Sequence, residues 1–390
     1  MRNFLAGFDE MDSSRERRHR CAKLAVQPKP AQSEREESAV NTTTVGVDLA
    51  KNCFQLAEAD ERYRIVRRER LTRMRFTNWM SNHPKCLVVM EACGSAHYWA
   101  RSLQAQGHEV KLLPAQHVRA YVRRNKTDAA DAAALIEASR CEQIKAVAVK
   151  SLDQQVLQQL HRLRTQWQAA RTARINGLRG MLREFGIDIP VGAVRGLASI
   201  REALEAADNG LPDAMRPFIA QVLGEIEDLQ RKVKDTDRAL ETMTHEDMVV
   251  QRLLQIPGVG PLNSTGIRAA VPDIHRFATG RHFASWMGLT PKEHSSGQKR
   301  RIGAISKQGD VYLRTLLIHG ARSVLQWANI GRRRGRDLDR LRHWALETEK
   351  RVGRNKATVA LANKLARIIW ATWKYERDFN GNWKHSGALV

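Results

Sequence analysis

The spacing of apolar residues changes once along this chain, near Ser151, and that change requires two kinds of architecture. Before it, apolar residues come in short runs: Val45-Gly46-Val47, Leu87-Val88-Val89-Met90 and, ended by Pro114, Glu109-Val110-Lys111-Leu112-Leu113. Such runs, bounded by charged or turn residues, read as strands. Cys53-Phe54-Gln55-Leu56-Ala57-Glu58 alternates like an antiparallel second strand, and Tyr63 to Arg68 follows a turn near Asp60-Glu61 as a third. Helices are predicted around Phe76 to Met80, Ala96 to Gln106 and Ala129 to Ser139. Strands alternating with helices imply an α/β layered sheet over residues 44–148.

From Ser151 the period becomes helical. Val156, Leu160, Leu163, Trp167 and Ala170 recur at three- and four-residue intervals, and the pattern runs to about Phe185. Gly186-Ile187-Asp188-Ile189-Pro190 breaks it, and a second long helix is predicted from Met215 to Thr244, with Leu223, Ile226, Leu229, Val233 and Leu240 on one face. Within residues 149–250 the pair reads as an antiparallel hairpin, a coiled coil between protomers, or ordinary packing helices. Residues 251–376 form a mainly helical C-terminal domain, and 377–390 a tail.

Charge narrows the partners. The 390 residues carry a formal charge of +23, which favours a polyanion through phosphate neutralisation and counterion release. No stretch approaches the roughly 18 to 20 apolar residues needed to span a bilayer, so no membrane partner is expected. Residues 1–43, with Arg15-Glu16-Arg17-Arg18-His19-Arg20 at their centre, read as a disordered basic arm or an over-extended gene start. Cys21, Cys53, Cys86, Cys93 and Cys141 are scattered and odd in number, which points to a reducing cytoplasm and away from a disulfide framework or zinc knuckle. The absence of a GxxxxGK[ST] loop argues against an ATP-driven motor.

Four acids carry the chemistry. Asp48 closes the first apolar run, in a Gly-x-Asp sequence, and Glu91 closes the run before it in Cys86-Leu87-Val88-Val89-Met90-Glu91. Asp128 and Asp131 lie three apart in Asn125-Lys126-Thr127-Asp128-Ala129-Ala130-Asp131, at the start of a predicted helix. An acid at the end of a buried strand is costly unless a cation meets it. Strand-end acids and an i, i+3 helical pair meeting at one point suit Mg²⁺ working on phosphate, and an RNase H-like nuclease fold requires this arrangement. The blander reading makes them solvated loop acids, a helix cap and a first-turn acid.

Two further segments suggest phosphate contacts. Ile256-Pro257-Gly258-Val259-Gly260 before Leu262 to Ala270 resembles the turn of a helix-hairpin-helix module, with Gly258 and Gly260 baring backbone N–H groups to a DNA phosphate; a plain helix–helix turn is the alternative. Gly288-Leu289-Thr290-Pro291 leads into Ser295-Ser296-Gly297, then Lys299-Arg300-Arg301 and, further on, Lys307. A hydroxyl beside several cations suits attack on phosphate, although Ser-Gly in a basic loop is also an ordinary phosphate contact.

Taken together, Val45-Gly46-Val47-Asp48-Leu49-Ala50-Lys51, Met90-Glu91-Ala92-Cys93-Gly94, Arg124 to Ala132, Ile256 to Gly260, and Gly288 to Pro291 with Ser295-Ser296-Gly297 resemble the DEDD transposases of bacterial insertion sequences. The family is the one numbered one-hundred-ten, with its eleven-eleven subgroup; site-specific pilin-gene invertases are related. The resemblance runs in the family's order from about Thr44 to Trp373. It implies a RuvC-like N-terminal domain with Asp48, Glu91, Asp128 and Asp131 holding Mg²⁺, a coiled-coil linker, and a C-terminal transposase domain with a serine nucleophile. That serine falls on Ser296, with Ser295 adjacent. It further implies donor and target DNA, a noncoding guide RNA from the element's ends, and a dimer or tetramer joining the metal site of one protomer to the serine of another. Lys126, Gly258, Gly260, Lys299, Arg300, Arg301 and Lys307 are the expected nucleic-acid contacts, and a cytoplasmic, nucleoid-associated location is expected. The rival readings are a RuvC-like structure-specific endonuclease or an invertase without an RNA guide, and a non-catalytic binding protein on a decayed nuclease fold.

Overall fold

The computed structural model describes residues 43–121, 128–297 and 299–382. The expected N-terminal arm up to residue 42, and Lys126, lie outside the described residues, and Asp128 is described only as the backbone start of a helix.

The N-terminal region is built on five strands: β1 (Thr44–Leu49), β2 (Cys53–Ala59), β3 (Ile65–Thr72), β4 (Leu87–Glu91) and β5 (Glu109–Leu113). Their order is β3-β2-β1-β4-β5, with β1–β2 and β2–β3 antiparallel and β1–β4 and β4–β5 parallel. Helices α1 (Arg73–Asn82), α2 (Ala96–Ala105), the short α3 (Ala115–Val118) and α4 (Asp128–Ser139) complete it. The turn between β2 and β3 forms because the Asp60 carboxylate accepts the backbone N–H groups of Arg62 and Arg64, both at 2.9 Å.

Alternation along the strands divides the sheet into two faces. Val45, Val47, Phe54, Leu56, Val88 and Met90 pack under α1 and α2, where Phe54, Phe76 and Trp99 meet edge to face at 5.0–5.3 Å. The opposite face lies under α4: Ala57 and Ala59 meet Ala132 and Ile136, while Val89 and Leu113 meet Leu135 and Ala138. This three-layer α/β arrangement agrees with the expectation from periodicity.

The change of period at Ser151 is a helix start. Ser151 and Gln154 form a reciprocal capping box that opens α5 (Leu152–Glu184). Next come α6 (Ala193–Glu205) and α7 (Arg216–Thr244). Leu157 near the start of α5 packs with Leu240 near the end of α7, and Leu178 and Leu182 pack with Ile219 and Leu223. The long helices therefore pair antiparallel within one chain. Arg174–Glu225 at 2.7 Å and Arg164–Asp237 at 2.5 Å tie the pair laterally. Helix α6, which the sequence reading passed over although Leu197, Ile200 and Leu204 recur at helical spacing, closes the tip by burying Leu197 and Ile200 in the same core.

The C-terminal region holds α8 (Met248–Leu254), α9 (Pro261–Ala270), α10 (Gly280–Trp286), β6 (Pro291–Glu293), β7 (Ile302–Ile305), α11 (Val311–Arg333), α12 (Arg340–Val352) and α13 (Arg354–Lys374). The helices share one core, from Leu253 through Leu317 and Leu325 to Ile369. The first half of α5 docks on it: the His161 ring lies between the Tyr312 hydroxyl at 2.8 Å and Thr265 Oγ1 at 3.0 Å. Among the described residues no helix is long and apolar enough to cross a membrane.

Candidate active site

Strand alternation decides where the acids go. The β1–β4 register pairs Gly46 with Val89 and Val47 with Met90, so one step further sets Asp48 beside Glu91. Neighbouring strands lie about 4.8 Å apart, which brings two carboxylates to one edge of the sheet. Asp48 shares the parity of Gly46 and Glu91 that of Val89, so both lie on the α4 face. Both side chains are half-buried at the C-terminal ends of their strands.

Helix α4 is seated by Gly46. A Cβ there would lie 2.3 Å from the Ala132 carbonyl oxygen and 2.8 Å from Ile136 Cγ1, so the helix backbone rests directly on the strand. Asp131 is the residue before Ala132, and the contact brings it to the face that bears Asp48 and Glu91. Asp131 Oδ1 is buried and has no hydrogen-bond partner among the described residues. A buried carboxylate oxygen without a donor is short of a cation or a proton. Oxygen donors alone, on strand ends and a helix, suit a hard divalent ion that keeps part of its water shell. Among the described residues no three His, Cys, Asp or Glu side chains stand together as a finished metal cage, and the Asp128 side chain is outside the described set. Two of the four predicted acids thus end strands on this face of the sheet, and a third lies on the helix that covers it.

The C-terminal loop is a β-hairpin. β6 and β7 pair antiparallel, and Ser306 and Lys307 donate backbone N–H groups to Thr290 and Gly288 at its base. The tip is a turn in which Ser296 and Lys299 exchange backbone hydrogen bonds at 3.1 and 3.3 Å. Both strands are largely exposed, which removed the apolar alternation that signals a strand. The two serines differ. The Ser295 hydroxyl donates to Glu293 Oε1 at 2.7 Å and accepts the Arg301 backbone N–H at 3.2 Å. The Ser296 hydroxyl is exposed and has no hydrogen-bond partner among the described residues. Glu293, which the sequence reading passed over, organises the loop: the Ser295 hydrogen bond first, and then the Arg300 charge at 3.2 Å, holds its carboxyl below the usual range. Lys299, Arg301 and Lys307 are exposed around the tip and base.

The glycine turn has a packing role. Gly258 has φ +80°, and a Cβ on it would lie 2.7 Å from the Gly320 carbonyl of α11. Its own carbonyl accepts from Asn263 at 2.9 Å. Gly260 caps α9 with open space around its Cβ position.

With this geometry in hand, comparison with known proteins is decisive. A DEDD-class IS110 transposase model matches residues 45–187, and a model described as the transposase IS116/IS110/IS902 family matches residues 250–336. A probable family 20 transposase of Pseudomonas aeruginosa is 40% identical over 336 residues, covering 85% of this chain and 97% of its own length. This chain belongs to the IS110 family of transposases. The transposase for insertion sequence element IS1111A of Coxiella burnetii is 36% identical, covering 86% of this chain and 91% of its own. The transposase for insertion sequence element IS1328 of Yersinia enterocolitica is 34% identical, covering 85% and 96%. The two family segments divide the candidate site between them: the acids fall in the first and Ser296 in the second.

Proposed function

We propose that this chain is the transposase of an insertion sequence, cutting and rejoining DNA strands with Ser296 as nucleophile and Asp48, Glu91, Asp128 and Asp131 as the Mg²⁺-binding acids of an RNase H-like, RuvC-like domain. One observation carries the reading: in a member of this family, the strand-end acids Asp48 and Glu91 share a sheet face with the helix that bears Asp131. The strand order β3-β2-β1-β4-β5, with its antiparallel first half and parallel second half, supports the RNase H-like assignment. Bound at the acids, Mg²⁺ would neutralise phosphate charge and lower the barrier to in-line displacement.

In the reaction Ser296 Oγ attacks phosphorus, a bond forms between them, and the bond from phosphorus to the departing sugar oxygen breaks. The serine proton passes to a carboxylate of the acid set, contributed by a second copy of the chain, and from there to the departing sugar oxygen, which leaves as a hydroxyl. The phosphoserine ester keeps the strand until a hydroxyl of the incoming strand displaces the serine, its proton returning to Ser296 Oγ. Ser296 is preferred to Ser295 because Glu293 already engages the Ser295 hydroxyl. Lys299, Arg300, Arg301 and Lys307 hold the DNA backbone, with Lys126, Gly258 and Gly260 as further contacts. An element-encoded noncoding RNA selects donor and target in the cytoplasm, and the charge of +23 suits an assembly of both nucleic acids.

The test is to incubate the full chain, Mg²⁺, element-derived RNA and a DNA substrate, then denature and look for protein-linked DNA. A covalent link lost in Ser296→Ala and kept in Ser295→Ala is expected. Free cleaved ends at wild-type rate from both variants would mean that water attacks, as in a RuvC-like endonuclease.

A further inference from the structure

Helix α13 has two apolar faces. Leu361, Leu365 and Ile369 point into the C-terminal core. Val359, Ala360, Ile368 and Ala371 recur at helical spacing on another face and border an open cavity of about 840 Å³. The same stripe carries Lys356, Lys364 and Arg367, and Arg340 at the start of α12 joins them at the wall. Asp378 is the one acid among the described residues lining the cavity, and the Gln255 amide already donates to its carboxylate at 3.1 Å. The Lys364 ammonium sits 4.1 Å from the centre of the Trp344 ring. Burial first, and then the Arg367 and Arg340 charges, pulls its pKa below the ordinary lysine value, as expected for cations gathered without an anion.

Two aromatic rings, Trp344 and Phe379, line the cavity, and Pro291 and Ile305, where the β6–β7 hairpin is rooted, form part of its wall. A flat apolar group that carries a negative charge suits such a site: the ring stacks on aromatic faces while the anion meets the cations. A paired base stays within its helical stack, so a nucleotide reaches a recessed pocket only when unpaired and turned outward. A strand gripped at the hairpin passes the cavity wall.

We propose that this cavity receives one unpaired nucleotide of the DNA strand held at the β6–β7 hairpin, with its base against Trp344 and Phe379 and its phosphate on Lys364, Arg367 and Arg340. The assignment rests on the DNA-processing reading above for the identity of the strand, and its test reads binding, not cutting.

The full chain is irradiated with a DNA duplex carrying 5-iodouracil in a one-base bulge, and with the same label fully paired, and the crosslinked peptide is identified by mass spectrometry. The expected crosslink maps to Trp344 or Phe379 with the bulged duplex and is several-fold weaker with the paired one. Trp344→Leu is expected to weaken binding of the bulged duplex about tenfold. The pair Lys364→Gln and Arg367→Gln, at the cavity wall and outside the apolar core, is expected to weaken the bulged duplex more than the paired one and to flatten its salt dependence. Crosslinks elsewhere, or equal ones from both duplexes, overturn the proposal. So does capture at Trp344 of a 5-iodouracil-labelled RNA but not of the DNA. Loss of this crosslink with the Ser296 adduct intact sinks the cavity assignment alone; the reverse result sinks the serine mechanism alone.

Discussion

Gly46→Ala tests whether the acids work as a set. The new Cβ would lie 2.3 Å from the Ala132 carbonyl oxygen, about 1 Å closer than ordinary contact, and 2.8 Å from Ile136 Cγ1. The first clash is with backbone, so no rotamer change relieves it, and α4 must lift from β1 by about 1 Å. The overpacking should cost about 1–3 kcal/mol of stability. The displacement also carries Asp131 away from Asp48 and Glu91. A misplacement of about 1 Å at a reacting centre lowers rate on the order of a hundredfold. Thermal unfolding and Mg²⁺-dependent strand cleavage, measured on the same preparation at a temperature where the variant is folded, separate the two effects. The expected result is a modest drop in melting temperature with a far larger loss of cleavage, while salt-sensitive DNA binding persists. Adding Ile136→Ala removes the 2.8 Å contact but not the carbonyl clash, so it should not restore activity. A Gly46→Ala protein that cleaves at wild-type rate would refute the seating of α4 on β1 as the device that assembles the acids.

Further expectations follow from single groups. Asp131→Asn removes the charge behind a buried oxygen that has no donor among the described residues; metal-free stability should hold or rise, whereas the gain from Mg²⁺, about 2.7 kcal/mol at roughly a hundredfold excess over Kd, should vanish in a thermal-shift titration. An undiminished gain would take Asp131 out of the metal set. Asp48→Asn should abolish strand cleavage and leave DNA binding in a salt titration largely intact; a collapse of binding as well would make Asp48 structural. Burial pushes His161 down to about 4, so the fold holds its neutral ring. Its contribution is therefore full above about pH 6.5, the unfolded value, and is lost as pH falls toward 4, amounting to about 3 kcal/mol at most. Urea unfolding between pH 4 and 7 should show a shallower pH dependence for His161→Gln, and an unchanged slope would remove His161 as a contributor.

Local pattern was enough for much of this molecule. Val45 and Val47 alternate with Gly46 and Asp48, so sequence alone commits Asp48 to the face opposite the valines once the segment is a strand. The helical period after Ser151 and the capping pair Ser151 and Gln154 likewise mark α5 without tertiary information. Exposed elements were harder to read. β6 and β7 bury nothing that would print a period, and their pairing rests on backbone hydrogen bonds invisible in residue types. Helix α6 was readable in principle, since Leu197, Ile200 and Leu204 recur at helical spacing; only its place at the tip of the hairpin required the tertiary structure.

By itself the sequence determined the chemical inventory: four acids at element ends, two serines in a basic loop, and a charge suited to nucleic acid. It also determined which strand face Asp48 and Glu91 must take, because side-chain alternation is a property of the backbone. Only the tertiary structure decided which elements meet. Strand order places β4 beside β1, although two strands and a helix separate them in sequence, and so sets Glu91 next to Asp48. The missing side chain of Gly46 then admits α4 with Asp131. Glu293 engages the Ser295 hydroxyl and leaves that of Ser296 exposed, a difference set by the conformation of the loop and not by residue type. These outcomes depend on three-dimensional distance, which residue spacing encodes within an element and not between elements.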